Sequence, residues 1–279
     1  MMLSRWVTGG VRTGKTRALV EFVSQWWSVH SAKTSPDQSV LLFSMNADNR
    51  QQTNQKILAA TDGAIPLRTS TPLGFFEEEV MLFWPLIVAN PSMGESFPAS
   101  FPMRLRPEAE QHLAVQLWGT ERLRWLNEIE RYGPERWARN LLDVLQLAAF
   151  ASVSLSAVPP RLQEHWSESL QVPPHLWSEI GQMLMEWRHW CLKRGFLTYG
   201  LVSELYWQCL LPSPQYRAQL KARFCLLVVD DSESYPAAAG QLFQILQQQD
   251  VPAFFTENAD FSIRLGLGGR SRLLTKSPV

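Results

Sequence analysis

Residues 9–16 read Gly-Gly-Val-Arg-Thr-Gly-Lys-Thr and fit the pattern G-x-x-x-x-G-K-[ST]. Glycines at that spacing let the backbone curl until its N–H groups point inward, at the oxygens of a phosphate. Gly9, Gly10, Val11, Arg12, Thr13 and Gly14 would form the cradle, with Arg17 just beyond it. Lys15 would reach the β- and γ-phosphates of ATP and stabilise their charge, and the Thr16 hydroxyl would hold Mg²⁺. A helix starting at the end of the loop would add the positive end of its dipole. In a chain of 279 residues, average residue usage produces this pattern by chance on the order of 1% of the time.

A second candidate lies far downstream, where the apolar run Leu226-Leu227-Val228-Val229 ends in Asp230 and Asp231. Two aspartates after a strand, taken alone, read as a solvated turn. With a phosphate loop upstream they read as Asp230 holding Mg²⁺ and Asp231 acting on an attacking water. Other clusters carry less. Trp187, Arg188, His189, Trp190, Lys193 and Arg194 interleave rings and charges as a single-strand groove would. The helical spacing of Trp187, Trp190 and Cys191 reads better as a core stripe. Glu77, Glu78 and Glu79 read as a solvated helix face. Cys191, Cys209 and Cys225 form no CxxC and the five histidines no HxxxH, which argues against a structural metal and fits a reducing cytoplasm.

The elements that must position these residues follow from hydrophobic period. Residues 3–10 read as a strand entering a glycine turn. Apolar positions Leu19, Val20, Val23, Trp26 and Trp27 have helical spacing over 15–27. A buried strand over 39–44, a helix over 48–60 capped by Asp48, a strand over 64–70 and a helix opening at Pro72 follow. This alternation predicts an α/β fold with a parallel sheet over residues 1–104. From 105 to 220 the pattern is helical, broken by a Ser- and Pro-rich stretch over 152–174 that reads as a loop. Strand, helix and strand return over 221–279. The expected arrangement is a P-loop (RecA-like) sheet domain with an inserted all-helical subdomain.

Composition narrows the classes. Lys+Arg and Asp+Glu are both 26, so whole-chain charge gives no support for nucleic-acid binding. Twelve tryptophans read first as core and interface side chains. No run of about 18 apolar residues is present to cross a membrane, and the N-terminus has no signal-peptide pattern.

Together these motifs resemble the UvrD/Rep type of superfamily 1 DNA helicase, over most of the chain but as scattered blocks. Gly14-Lys15-Thr16-Arg17 matches the end of that family's phosphate loop. The stretch LLFSMNADNRQQTNQKIL, with Ser44 and Asn46, and the stretch RTSTPLGFF, with Thr71 and Phe75, are similar to the next two blocks. In the family both blocks touch single-stranded DNA. The run from Arg194 through Asp230 into 246 resembles the approach to, and exit from, the acidic motif. The resemblance implies ATP and Mg²⁺ as cofactors, single-stranded or partially duplex DNA as partner, and a second RecA-like motor domain supplied by a missing C-terminal part or a partner chain.

This sequence also departs from the family. Asp231 stands where the family has Glu, and Glu233 and Ser234 where it has Gln and Asp. Phe261 occupies the place of a γ-phosphate-sensing Gln, and Arg264 that of a base-stacking Tyr. An upstream adenine-reading Gln motif has no counterpart in the eight residues before Gly9. Three functions stay open on these grounds. The first is the ATP-binding half of a DNA-translocating helicase, the second a helicase-like subunit that binds without turnover, and the third a small-molecule phosphotransferase. The stop soon after the third-motif region reads as a fragment of a longer protein.

Overall fold

A computed structural model describes residues 4–90, 100–129, 131–166 and 173–258. The chain forms two compact units, Met1–Glu78 with Leu210–Val279, and Glu79–Cys209. The first opens with β1 (Arg5–Gly9), α1 (Lys15–His30), β2 (Ser39–Phe43), α2 (Ala47–Ala60), β3 (Leu67–Ser70) and α3 (Pro72–Leu82), whose last turn crosses into the second unit. Leu19, Val23 and Trp26 recur at helical spacing and form the buried stripe of α1. Asn46, not Asp48, caps α2: its side chain accepts a hydrogen bond from the Asn49 N–H at 2.8 Å, and Asp48 lies in the first turn. The acids of α3 are not one solvated face. Glu78 pairs with Arg68 at 2.8 Å, whereas Glu79 is fully buried.

The second unit contains α4 (Trp84–Val88), β4 (Met103–Arg104), α5 (Pro107–Trp118), α6 (Thr120–Trp125), α7 (Pro134–Phe150), α8 (Val158–Trp166), α9 (Pro174–Lys193), β5 (Phe196–Leu197) and α10 (Tyr199–Leu205). It differs from the expected insertion in three ways. It is not all helical, since β4 and β5 pair in parallel. It starts before 105, because that pairing ties residues 103–105 to Gly195 and Leu197. It ends before 220, because the next helix packs on the first unit's sheet. The stretch read as a loop over 152–174 holds α8, whose Pro159 and Pro160 lie in its first turn, where a missing N–H costs nothing. Trp177, Met183, Leu184, Trp187 and Cys191 are buried along α9, so the ring-and-charge stretch is a core stripe. Arg188 beside it donates to Glu204 at 2.5 Å in a buried pair between α9 and α10. Among the described residues, no single helix is long and apolar enough to cross a membrane.

The chain re-enters the first unit through α11 (Pro214–Arg223), β6 (Phe224–Val229), α12 (Ala237–Gln248) and β7 (Ala253–Asn258). The sheet order is β1-β7-β6-β2-β3, with every pairing parallel. Strand β6 is central, and Leu226, Leu227, Val228 and Val229 are fully buried. Each such side chain contributes roughly 1.5–3 kcal/mol relative to exposure. Alternation along the strands sends Val40, Leu42, Leu226, Val228 and Phe254 to the face covered by α1 and α2. The other face carries Phe43 and Phe255, which pack on Phe243 of α12 at ring separations of 5.4 and 6.0 Å.

Strand order explains that division. The connection from β1 to β2 steps over β7 and β6, while the connection from β6 to β7 steps the opposite way. Right-handed crossovers then place α1 and α12 on opposite faces. Where neighbouring connections leave toward opposite faces, a crevice opens at the carboxyl ends of the strands. The Gly9–Thr16 loop follows β1 there, and Asp230 follows β6.

Candidate phosphate-binding site

The loop between β1 and α1 is held by its own sequence. Arg12 and Gly14 adopt positive φ angles of 61° and 92°. Gly14 is the N-cap of α1, so among the described residues the first N–H groups of that 16-residue helix have no side-chain cap. Thr13 Oγ1 donates to the Gly10 carbonyl at 2.9 Å and closes the turn. Lys15 folds back across the loop. Its Nζ donates to the carbonyls of Gly9 at 3.2 Å and Gly10 at 3.1 Å, and to Asn258 Oδ1. Thr16 is half-buried in the first turn of α1, whereas Val11 is exposed and Arg17 pairs outward with Glu21 at 2.7 Å.

The acids come from the end of β6. Asp230 is buried. Its N–H donates to Phe43 O at 3.0 Å, its Oδ1 accepts from Thr256 Oγ1 at 2.6 Å and its carbonyl accepts from the Tyr235 hydroxyl at 2.6 Å. Asp231 turns out of the strand at φ 53° and ψ 58°, a left-handed conformation that aspartate tolerates better than most residues. Its N–H donates to Thr256 Oγ1 at 2.8 Å, so one threonine hydroxyl on β7 anchors both acids. Asp231 Oδ1 lies 3.7 Å from Lys15 Nζ. Burial pushes the Asp230 carboxyl up, and the Thr256 bond and Lys15 oppose it. Burial, with the charges of Asp230 and Glu233, pushes Asp231 up to about 6, against the pull of Lys15.

No family model matches the chain, and a search of curated proteins found no match either. The loop after β1 and the ends of β6 and β7 converge at Lys15. That geometry brings Lys15 and Asp231 together although 216 positions separate them in sequence, with Asn258 at the end of β7 between them. Thr256, Asn258 and Tyr235 carry no sequence signal for this role, because only the strand order reveals that β7 separates β1 from β6.

The residues matched to DNA-contacting blocks are placed differently. Ser44 is fully buried one residue beyond β2, and its hydroxyl has no hydrogen-bond partner among the described residues. Asn46 caps α2. Thr71 Oγ1 accepts from the Gly74 N–H at 3.2 Å at the start of α3. Phe75 is core, against Phe43 at 5.2 Å and Phe224 at 6.1 Å, and offers no ring face to a base. Phe261 and Arg264 lie outside the described residues.

Among the described residues no group of three or more His, Cys, Asp or Glu could hold a metal by itself. Mg²⁺ bound with a nucleotide needs only one or two protein oxygens, the remainder coming from phosphates and water. The Thr16 hydroxyl in the first turn of α1 and the Asp230 carboxylate just after β6 are hard oxygen donors of the type such an ion takes.

Proposed function

We propose that the first unit is a P-loop (RecA-like) domain that binds and hydrolyses ATP, as the motor half of a DNA helicase resembling the UvrD/Rep type. The observation that carries the reading is the meeting of the Gly9–Thr16 loop with Asp231, Lys15 Nζ lying 3.7 Å from the acid. Loop N–H groups and the start of α1 would bind the phosphates. Lys15 would stabilise charge on the β- and γ-phosphoryl oxygens as the bond to the leaving group breaks. Thr16 and Asp230 would hold Mg²⁺, which when bound neutralises phosphate charge. Asp231 would orient an attacking water and accept its proton. Hydrolysis would then be coupled to movement on single-stranded DNA.

A second reading keeps the nucleotide and loses the turnover, as in a helicase-like binding subunit. What favours it is that aspartate stands at 231, where the resembled family has the longer glutamate. Phosphate release measured with and without single-stranded DNA separates the two. The motor reading expects turnover stimulated by DNA and lost in Lys15→Ala. A rate indifferent to DNA contradicts the motor, and binding without hydrolysis selects the second reading.

A further inference from the structure

Lys15 and Asp231 are opposite charges at 3.7 Å, farther apart than the 2.7–2.9 Å of a direct ammonium–carboxylate bond. The group between them is the carboxamide of Asn258. Its Oδ1 accepts from Lys15 Nζ, and its Nδ2 donates to Asp231 Oδ1 at 3.3 Å. The amide has only one orientation that satisfies both neighbours, with oxygen toward the ammonium and nitrogen toward the acid. Glu233 enforces it. Its Oε1 accepts from Asn258 Nδ2 at 2.5 Å and its Oε2 from the Asn258 backbone N–H at 3.2 Å. Glu233 is buried in the turn after β6, so the clamp is part of the same segment that carries the Asp pair.

We propose that Asn258 is a spacer that keeps Lys15 and Asp231 from collapsing into a direct ion pair, and that Glu233 positions it. In such a collapse Lys15 would leave the loop carbonyls for Asp231, and nucleotide phosphate would have to break a tight pair to recruit it. Asp231 would at the same time lose its access to water. With the amide in place, Lys15 stays on the loop and each charge remains available. Both residues act through Lys15 and Asp231, so they are positioning residues.

The inference rests on the proposed nucleotide site, and a double-mutant cycle separates the two claims. Binding of a fluorescent ATP analogue with Mg²⁺ is titrated into the wild type, Asn258→Ala, Asp231→Asn and the double variant. Thermal unfolding without nucleotide serves as the folding control. Asn258→Ala is expected to weaken binding about tenfold, and to do so hardly at all when Asp231→Asn has already removed the competing charge. Glu233→Gln, which keeps the side chain's size and can still accept one of its two bonds, is expected to show a smaller loss with the same suppression. It stands in if Asn258→Ala does not fold. Effects that add across the cycle overturn the spacer while leaving the site intact. Failure of the wild type to bind overturns both.

Discussion

Gly9 and Gly14 are glycine for different reasons, and the difference predicts different failures. A Cβ at Gly9 would lie 2.5 Å from Thr13 Oγ1, the atom that closes the loop. At Gly14 an added Cβ would meet nothing within 4 Å among the described residues, but φ is +92°. Gly14→Ala should therefore destabilise the protein by about 1–2 kcal/mol through backbone strain. Urea unfolding reads this as a lower midpoint with an unchanged slope; an unchanged midpoint would show that the loop relaxes without cost. The loop and the Asp pair were legible in the sequence because each is a local pattern, eight and two residues long. The left-handed turn at Asp231 gives a physical reason for aspartate at this position. Thr256 and Asn258 were not legible, because their roles depend on which strand lies between β1 and β6. Phe75 was misleading for a related reason: the motif resemblance gives position along the chain but not the direction of a ring.

Hydrophobic pattern revealed most of the strands and helices of the first unit, since α1 buries residues at helical spacing and β6 is a short continuous apolar run. It failed at α8, where two prolines read as a loop and instead open a helix, and at Glu79, a carboxylate buried within an acidic run. Glu110 on α5 is another buried acid. It faces Arg139 and Asp143 of α7 and lies near Cys191 of α9, whose thiol burial raises. Burial lifts Glu110 from 4.5 to about 7, Arg139 opposing and Asp143 adding to the rise. A carboxyl raised in the folded state is protonated there more readily than in the unfolded chain. Its stabilising effect is therefore complete below about pH 4.5 and is lost as pH rises through about 7. Stability should fall across that window by up to about 3 kcal/mol. Glu110→Gln should flatten the profile, and a variant whose unfolding midpoint keeps the wild-type pH dependence would assign the loss to another group.

At the scale of the molecule, two compact units share one chain, and the described residues of the candidate site belong to the first. A bound nucleotide stabilises only what it contacts and what folds with it. At about 100 times the dissociation constant that amounts to about 2.7 kcal/mol. Hydrogen exchange with saturating Mg²⁺ and ATP should slow at the Gly9–Thr16 loop, the end of β6 and the end of β7. The amides of α7 and α9 should exchange as before. Equal protection in both units would place the nucleotide elsewhere. The sheet order that makes this prediction specific was beyond the sequence, which shows alternation of strand and helix but not which strands become neighbours. The most direct test of the account is an equilibrium titration of Mg²⁺ and ATP against the wild type and Lys15→Ala. Removing one charged donor to phosphate costs about 1.5–3 kcal/mol, so affinity should fall by roughly ten- to a hundredfold while the variant stays folded. Equal affinity in a folded Lys15→Ala protein, or no binding by the wild type, would contradict the claim that this loop grips a nucleotide.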